Sequence, residues 1–226
     1  MALETSRIQA IFFDIDGTLW DSDNEMVMRL ERFLQPLYWF LPGRDPRRAA
    51  RRLVMSLEAP GLYIYSLRFR SELLDRLADA CSRRLGNLKA GSSSSHTLID
   101  GVDHLLPMLA RRYPLAVVSA RPQQSTIEFL VQNKLLRYFK IVVTGHTCQR
   151  TKPHPDPVLY AAQKLGLAPQ NCLMVGDTAA DVLAGRSAGA QTAGVLCGFG
   201  EQTELRKAGA DLILSTTADL LQVVGV

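Results

Sequence analysis

The chain has 226 residues, of which 47% are hydrophobic and 21% charged, and its formal net charge is +4. This balance is typical of globular proteins with one or two compact domains, and it argues against intrinsic disorder. The sequence shows no secretory signal pattern and no apolar run of the roughly 18–20 residues that a membrane span needs. We therefore expect a cytoplasmic protein.

The first predicted element is a buried strand over Ile8–Ile15, which contains the acidic Asp14 and is followed by a Gly17–Thr18 turn. From Asp21 to about Ala90 the sequence is rich in Leu and Arg, with few β-branched residues, and this pattern predicts three or four helices. The run GSSSS at Gly91–Ser95 is typical of a flexible connector.

Beyond the connector, short apolar strands alternate with helices. The predicted strands are Leu115–Ser119, Ile141–Thr144, Asn171–Val175, Gln191–Leu196 and Asp211–Leu214. The predicted helices are Gly101–Arg112, Pro122–Asn133, Asp156–Leu165, Ala179–Ala188, Glu201–Ala208 and Ala218–Val224. This alternation predicts an α/β fold with a parallel, Rossmann-like sheet covered by helices on both faces.

Residues 1–20 and 96–226 are therefore predicted to form one α/β core domain, and residues 21–95 an inserted all-helical cap domain. Between Trp20 and Ser95 there are 13 Lys and Arg against 9 Asp and Glu, so this segment accounts for the whole net charge of +4. The excess is consistent with a basic lid that attracts an anionic substrate, or with a solvated helical face. No nucleic-acid recognition motif accompanies it.

Polar residues stand where several predicted strands end. Asp14 and Asp16 close the first strand, Ser119 closes the second, Lys152 follows the third and Asp177 follows the fourth. Because the carboxyl ends of parallel strands share one edge, where open sheets bind their ligands, we expect these side chains to meet in one site.

The acidic residues of this set favour a metal site. Asp14 and Asp16 are two residues apart on an extended chain, so they point the same way. Asp177 and Asp181 have a spacing that suits one helix face. Acids that converge repel one another unless a cation relieves the charge. Since no His or Cys ligand accompanies them, magnesium is favoured over zinc.

The remaining members of the set suit a phosphoryl group. Lys152 supplies positive charge, Ser119 supplies a hydrogen-bond donor, and Gly17 permits a tight turn or a close approach of backbone amides to phosphate oxygens. The motifs occur in the order DIDGTLWDS (Asp14–Ser22), VVSAR (Val117–Arg121), TKPHPDP (Thr151–Pro157) and VGDTAAD (Val175–Asp181).

This ordered set resembles the haloacid dehalogenase superfamily, in its phosphatase branch, over nearly the whole predicted core. The insert resembles the helical cap of the phosphoglycolate-phosphatase type. The resemblance implies a phosphoric monoester hydrolase that forms an aspartyl-phosphate, with Asp14 as nucleophile and Asp16 as general acid and then general base. It also implies that Ser119 and Lys152 bind the phosphoryl group.

The resemblance implies a Mg²⁺ site as well, made by Asp14, the backbone carbonyl of Asp16, and Asp177, with Asp181 ordering the water around the metal. Thr18 is implied to position Asp16 or its turn, close to the substrate. Arg121 is expected either to bind an anionic tail of the substrate or to cap a helix elsewhere.

Several alternatives bear on this interpretation. Dehalogenases of the superfamily lack an acid at the position of Asp16, so the presence of Asp16 argues against dehalogenation. The phosphonate-cleaving branch needs a lysine in its cap, and the only lysine of the insert is Lys89 near its exit, which argues against that reaction. A sugar phosphomutase stays open because it uses the same two acids, and so does an inactive binding or regulatory homologue. A phospho-accepting signalling receiver would be about half this length and would lack a helical insert after the first strand, so the length of this chain argues against one.

We expect a small phosphorylated substrate, no nucleic-acid or membrane partner, and a monomer or homodimer.

Overall fold

The fold is known from a computed structural model that describes residues 3–21, 30–40, 46, 49–50 and 97–225. Within these ranges the chain forms a six-stranded sheet in the order β3-β2-β1-β4-β5-β6, and every neighbouring pair is parallel. The strands are β1 Ala10–Phe13, β2 Leu115–Val118, β3 Phe139–Val143, β4 Cys172–Gly176, β5 Gln191–Val195 and β6 Leu212–Leu214.

Helices connect these strands. The α-helices with described bounds are α1 Val102–Ala110, α2 Gln123–Gln132, α3 Asp156–Leu165, α4 Ala179–Ser187, α5 Gln202–Ala208 and α6 Leu220–Val224. Short 3₁₀ helices cover Thr5–Arg7, Gln35–Phe40, Leu136–Tyr138, Pro169–Asn171 and Thr217–Asp219. In the part of the chain that the structure describes, none of the helices is both long and apolar enough to cross a bilayer.

The sheet separates two apolar layers because successive side chains of a strand face opposite sides. Ile11 and Phe13 of β1 pack into a layer that includes buried side chains of α1, α2 and α6. Ala10 and Phe12 pack into the other layer, with α3 and α4. All four residues of β1 are buried, as expected for a central strand covered on both faces. The α/β fold predicted from the sequence is therefore confirmed.

The insert leaves and re-enters the core at one place. The amide of Asp21 donates to the carbonyl of Thr97 at 2.9 Å, and the amide of Ile99 donates to the carbonyl of Leu19 at 3.0 Å. Trp20 forms an antiparallel bridge with Leu98. Most of the predicted helical cap lies outside the described residues; within it, residues 30–34 are helical and continue into a 3₁₀ helix.

Candidate active site

The candidate site lies at the carboxyl edge of the sheet, around the end of β1. Phe13 pairs with Val117 of β2 on one side and with Val175 of β4 on the other. The residue that follows, Asp14, therefore stands between the ends of β2 and β4. This is the point at which the strand order reverses, where open α/β sheets bind their ligands.

Lys152 connects two of the predicted acids. Its Nζ lies 2.7 Å from Oδ1 of Asp14 and 2.6 Å from Oδ1 of Asp181, and only 5% of its side chain is exposed. Lys152 is in the loop between β3 and α3, Asp14 follows β1, and Asp181 lies in α4, which follows β4. These two ion pairs therefore connect segments that follow three different strands. A buried ammonium group held by two carboxylates is fixed in position and keeps its charge.

Asp181 is held in place from a second direction. Its Oδ2 accepts hydrogen bonds from the amide of Thr178 at 3.0 Å and from the hydroxyl of the same residue at 2.6 Å. Asp181 lies in the first turn of α4, where the helix dipole favours a negative charge. With Lys152 on its other oxygen, this carboxylate is suited to a supporting role beside a cation.

Asp177 is enclosed by backbone. The amide of Phe199 donates to its Oδ2 at 2.7 Å, and the side chain is fully buried. Gly17, with φ +71°, stands so close that a Cβ there would collide with Oδ2 of Asp177. Only glycine fits this turn, because the backbone is in the left-handed region and the space is already filled.

Three of the carboxylates fit a metal ion. Ligand oxygens of Asp14, Asp177 and Asp181 all lie within 4.8 Å of one another, and all three residues are buried. Carboxylate oxygens are the ligands that Mg²⁺ and other hard cations prefer. In the described part of the chain, Lys152 is the one ammonium group that pairs with this cluster. Three buried acids against one base leave negative charge that a divalent cation would offset.

The charges of the cluster shift two pKa values. Burial raises the pKa of Asp14 from its usual 3.8 to about 7; the charge of Lys152 opposes this rise, and the charges of Asp181 and Asp16 add to it. Burial alone would lower the pKa of Lys152, but its pairs with Asp14 and Asp181 outweigh burial and raise that pKa. A cation in the cluster would favour the ionised form of Asp14.

The side chain of Asp16 does not join this cluster; it turns instead to Arg121. Nη1 of Arg121 donates to Oδ1 of Asp16 at 2.7 Å, and about a third of the Asp16 side chain (30%) is exposed. The guanidinium also lies over the ring of Trp20, 4.1 Å from its centroid, and that ring stacks on Phe129. The sequence suggested four converging acids, whereas the carboxylates of three converge here.

Ser119 and Thr18 are both buried. The Ser119 hydroxyl accepts a hydrogen bond from the amide of Arg121 at 3.2 Å, in the turn that follows β2. Thr18 is fully buried, and its hydroxyl donates a long 3.5 Å hydrogen bond to Asp177. Its carbonyl accepts a hydrogen bond from Thr217 at 2.6 Å. Thr18 thus contacts the cluster of buried carboxylates rather than an open surface.

Three features of the site were not anticipated from the sequence. These are the pairing of Arg121 with Asp16, the support of Asp181 by Thr178, and the amide of Phe199 on Asp177. The second had a local signal, since a Thr three residues before an acid at a helix start is a capping pattern. The first and third join loops far apart in sequence, and no local pattern shows them.

We expect Asp14→Asn to raise the melting temperature of the metal-free protein above pH 7. The pKa of Asp14 rises on folding from 3.8 to about 7, so the folded protein loses stability as the pH rises through that interval. Asparagine carries no charge and avoids this loss. At pH 8 we expect a gain of up to about 4 kcal/mol, because each pKa unit corresponds to about 1.4 kcal/mol, at about 2–4 °C per kcal/mol; the gain shrinks toward pH 5.

Thermal melting in a chelator at pH 5 and pH 8 measures this difference. Asp103→Asn is the matched control, since Asp103 is on α1 with its side chain 62% exposed and contacts His104. The control should melt like the wild type at both pH values. An Asp14→Asn variant that is less stable than the wild type at pH 8 would contradict the expectation.

The sequence pattern of the haloacid dehalogenase-like hydrolases matches residues 11–195. The pyrophosphatase PpaX of Bacillus velezensis is 30% identical over 226 residues, covering 97% of this chain and 98% of that protein. The phosphoglycolate phosphatase of Nitrosococcus oceani is 30% identical over 225 residues and covers 94% of each chain.

Among solved structures, a hydrolase from Pseudomonas syringae superposes with a TM-score of 0.65 at 27% identity, covering 96% of this chain and 98% of its own. A haloacid dehalogenase-like protein from Streptococcus pneumoniae superposes with a TM-score of 0.68 at 23% identity, covering 96% and 99%. The second likeness concerns the fold alone.

Proposed function

Because this chain belongs to the haloacid dehalogenase-like hydrolase family, we propose that it is a magnesium-dependent phosphatase that forms an aspartyl-phosphate on Asp14. One observation carries the proposal: Asp14 ends the central strand in a buried cluster, beside Lys152 at 2.7 Å and within metal-ligand distance of Asp177 and Asp181. Phosphoryl transfer needs this combination of a placed nucleophile and positive charge.

Asp14 is the nucleophile. Its carboxylate attacks phosphorus, the bond from phosphorus to the ester oxygen breaks, and the phosphoryl group is left on Asp14. Lys152 holds Asp14 in position and offsets the charge that gathers on the transferred oxygens, and the Ser119 hydroxyl donates to one of them. Water then attacks the phosphoryl group, which leaves as inorganic phosphate and restores the Asp14 carboxylate.

The proposed ligands of Mg²⁺ are carboxylate oxygens of Asp14 and Asp177 together with the backbone carbonyl of Asp16. When bound, Mg²⁺ supplies positive charge next to the transferred phosphoryl oxygens. Asp181 orders the water around the ion, which agrees with its engagement by Lys152 and Thr178. Thr18 supports Asp177 through its hydroxyl, and we prefer this role to the substrate contact expected from the sequence.

Asp16 is the proposed general acid and then general base. It protonates the leaving oxygen in the first step and takes a proton from water in the second. Nη1 of Arg121 donates to Oδ1 of Asp16 at 2.7 Å, so this pair has to open before Asp16 can serve the leaving oxygen. Asp16 therefore turns from Arg121 toward the leaving oxygen before the ester bond breaks.

Arg121 and the curated relatives support a substrate with two anionic groups. A pyrophosphatase acts on pyrophosphate and a phosphoglycolate phosphatase on phosphoglycolate. Both molecules carry a second anionic group close to the phosphoryl group. We propose that Arg121 meets such a group, which would compete with Asp16 for the guanidinium. Residues 21–95 form the proposed cap over this substrate, and residues 1–20 and 96–226 form the core.

Phosphate release from a panel of phosphomonoesters and pyrophosphate tests this function. The panel contains phosphoglycolate, sugar phosphates, nucleotides and an aryl phosphate, each with Mg²⁺ and with a chelator. We expect metal-dependent release that is fastest with a doubly anionic substrate. Isomerisation of a sugar phosphate that needs a bisphosphate activator would instead identify a mutase, and inactivity throughout would point to a binding homologue.

Asp16→Asn should slow turnover of an alkyl phosphate by about 10²-fold or more, the usual contribution of general acid–base catalysis. An aryl phosphate with an acidic leaving group needs less protonation, so its first step should slow less. Single-turnover rates for the two substrates measure the contrast. Equal losses for both, or a near-wild-type rate, would remove the acid role from Asp16.

A further inference from the structure

Phe199 lies between the proposed metal cluster and the insert. It is in the loop between β5 and α5, and 3% of its surface is exposed. Its amide donates to Oδ2 of Asp177 at 2.7 Å. Its side chain belongs to a small apolar cluster with Leu34 and Ala50, against which Leu30 and Ala49 also pack. One residue therefore contacts a proposed metal ligand with its backbone and the insert with its ring.

The loop that carries Phe199 is fitted closely around Asp177. A Cβ on Gly198 would collide with Oδ2 of Asp177 and would lie 2.5 Å from the carbonyl of Gly17. A Cβ on Gly200 would collide with the backbone carbonyl of Asp177. Because the loop has no free space on this side, a displacement of Phe199 moves the donor that orients the Asp177 carboxylate.

The apolar cluster of Leu34, Ala50 and Phe199 connects the insert to the core. Leu34 and Ala50 belong to residues 21–95, whereas Phe199 belongs to the core. The cluster is separate from the two layers that cover the sheet. Its few side chains therefore hold the described part of the insert against this loop, and truncating one of them removes a large share of the contact.

We propose that Phe199 is a positioning residue for the metal site, through which the seating of the insert against the core sets the orientation of Asp177. The proposal rests on the proposed function, since it needs Asp177 as a ligand. When the insert is seated, the ring of Phe199 is held by Leu34 and Ala50, and its amide keeps Asp177 aimed into the cluster. Without this contact, the loop loses its support and the affinity for the cation falls.

The coupling also acts in the opposite direction. If seating of the insert strengthens metal binding, metal binding must favour the seated insert by the same factor. We therefore expect Mg²⁺ to slow proteolysis of the wild-type chain within residues 21–95. The same addition should protect Phe199→Ala much less.

Calorimetric titration with Mg²⁺ tests the proposal without relying on activity. We expect Phe199→Ala and Leu34→Ala each to weaken Mg²⁺ binding by about tenfold, the usual effect of losing a residue that orients a ligand. Phe199→Leu keeps an apolar side chain, so its loss should be smaller. Leu135→Ala is the matched control, because Leu135 is equally apolar and buried but precedes β3 at the opposite edge of the sheet.

The double variant Leu34→Ala/Phe199→Ala separates coupling from unrelated damage. Its loss of affinity should be smaller than the product of the two single losses, because both changes interrupt the same contact. Thermal melting establishes that each variant is folded. If Phe199→Ala does not fold, Phe199→Leu replaces it in the titration. If the folded Leu34 and Phe199 variants bind Mg²⁺ with wild-type affinity, the role of Phe199 is overturned but the proposed metal site is not. A wild type that binds no Mg²⁺ would overturn it together with the proposed metal site.

Discussion

Asp14→Asn should reduce phosphate release by about 10⁴-fold or more, because removing a covalent nucleophile costs several orders of magnitude. Asparagine has nearly the same shape as aspartate but is a far weaker nucleophile. Asp14 directly follows the central strand, and Oδ1 of its carboxylate lies 2.7 Å from Nζ of Lys152. Steady-state phosphate release from the best substrate of the panel measures this loss.

A control separates chemistry from folding. In a chelator above pH 7, the variant should melt at or above the wild-type temperature, as expected from removing a buried charge, so lost turnover will not reflect unfolding. Asp103→Asn, on the exposed side of α1, should keep wild-type turnover. An Asp14→Asn variant that retains more than about a hundredth of the activity would be inconsistent with covalent catalysis at this position.

Removal of divalent cations should silence the enzyme, and added Mg²⁺ should restore it. The buried cluster holds three carboxylates, two of which pair with Lys152, and without a cation its negative charge would repel the phosphate oxygens. Activity measured after chelation and gel filtration, and again after titration with Mg²⁺, checks this expectation. Full turnover in excess chelator would exclude a metal from the mechanism.

Asp177→Asn and Asp181→Asn distinguish the proposed ligand from its neighbour. Asp177→Asn should raise the Mg²⁺ concentration for half-maximal activity by at least about tenfold. Asp181→Asn also removes the charge that faces Lys152 at 2.6 Å, so it should lower the rate even at saturating Mg²⁺. Identical metal dependence in the two variants would mean that they share one role.

The strands and helices around the sheet could be predicted because each is specified by a short, local pattern of apolar residues. Short apolar runs that alternate with amphipathic segments specify buried strands and covering helices, and α3 has the predicted bounds Asp156–Leu165. Errors at other elements are one or two residues, as at β3, which begins at Phe139 rather than Ile141. At α6, the predicted first turn is a 3₁₀ helix over Thr217–Asp219, where the carboxylate of Asp219 accepts the amide of Thr216.

The site could be predicted in part. Asp14, Lys152, Asp177 and Asp181 come together because they follow strand ends or begin a helix, and strand order brings those positions to one edge. The partner of Asp16 could not be predicted, since Arg121 reaches it across two loops and its guanidinium is placed by Trp20. Such contacts depend on side-chain directions at the ends of different strands, and hydrophobic periodicity in the sequence does not predict those directions.

The position of the insert has a similar explanation. The return to the core at the Ser-rich run before residue 96 stays a prediction, and Trp20 and Leu98 form an antiparallel bridge next to it. The contact of Phe199 with Leu34 and Ala50 lies between segments separated by about 150 residues, and nothing in the sequence indicated it. The basic charge of residues 21–95 lies largely outside the described residues, so its role stays a prediction.

If the phosphoryl group passes through Asp14, a phosphorylated form of the enzyme can be trapped during turnover. Wild-type enzyme is mixed with Mg²⁺ and its best substrate, quenched in acid within one turnover, digested and examined by mass spectrometry. We predict a phosphoryl group on Asp14, and none in Asp14→Asn treated in the same way. Turnover without any phosphorylated peptide, or with the group on another residue, would contradict the account.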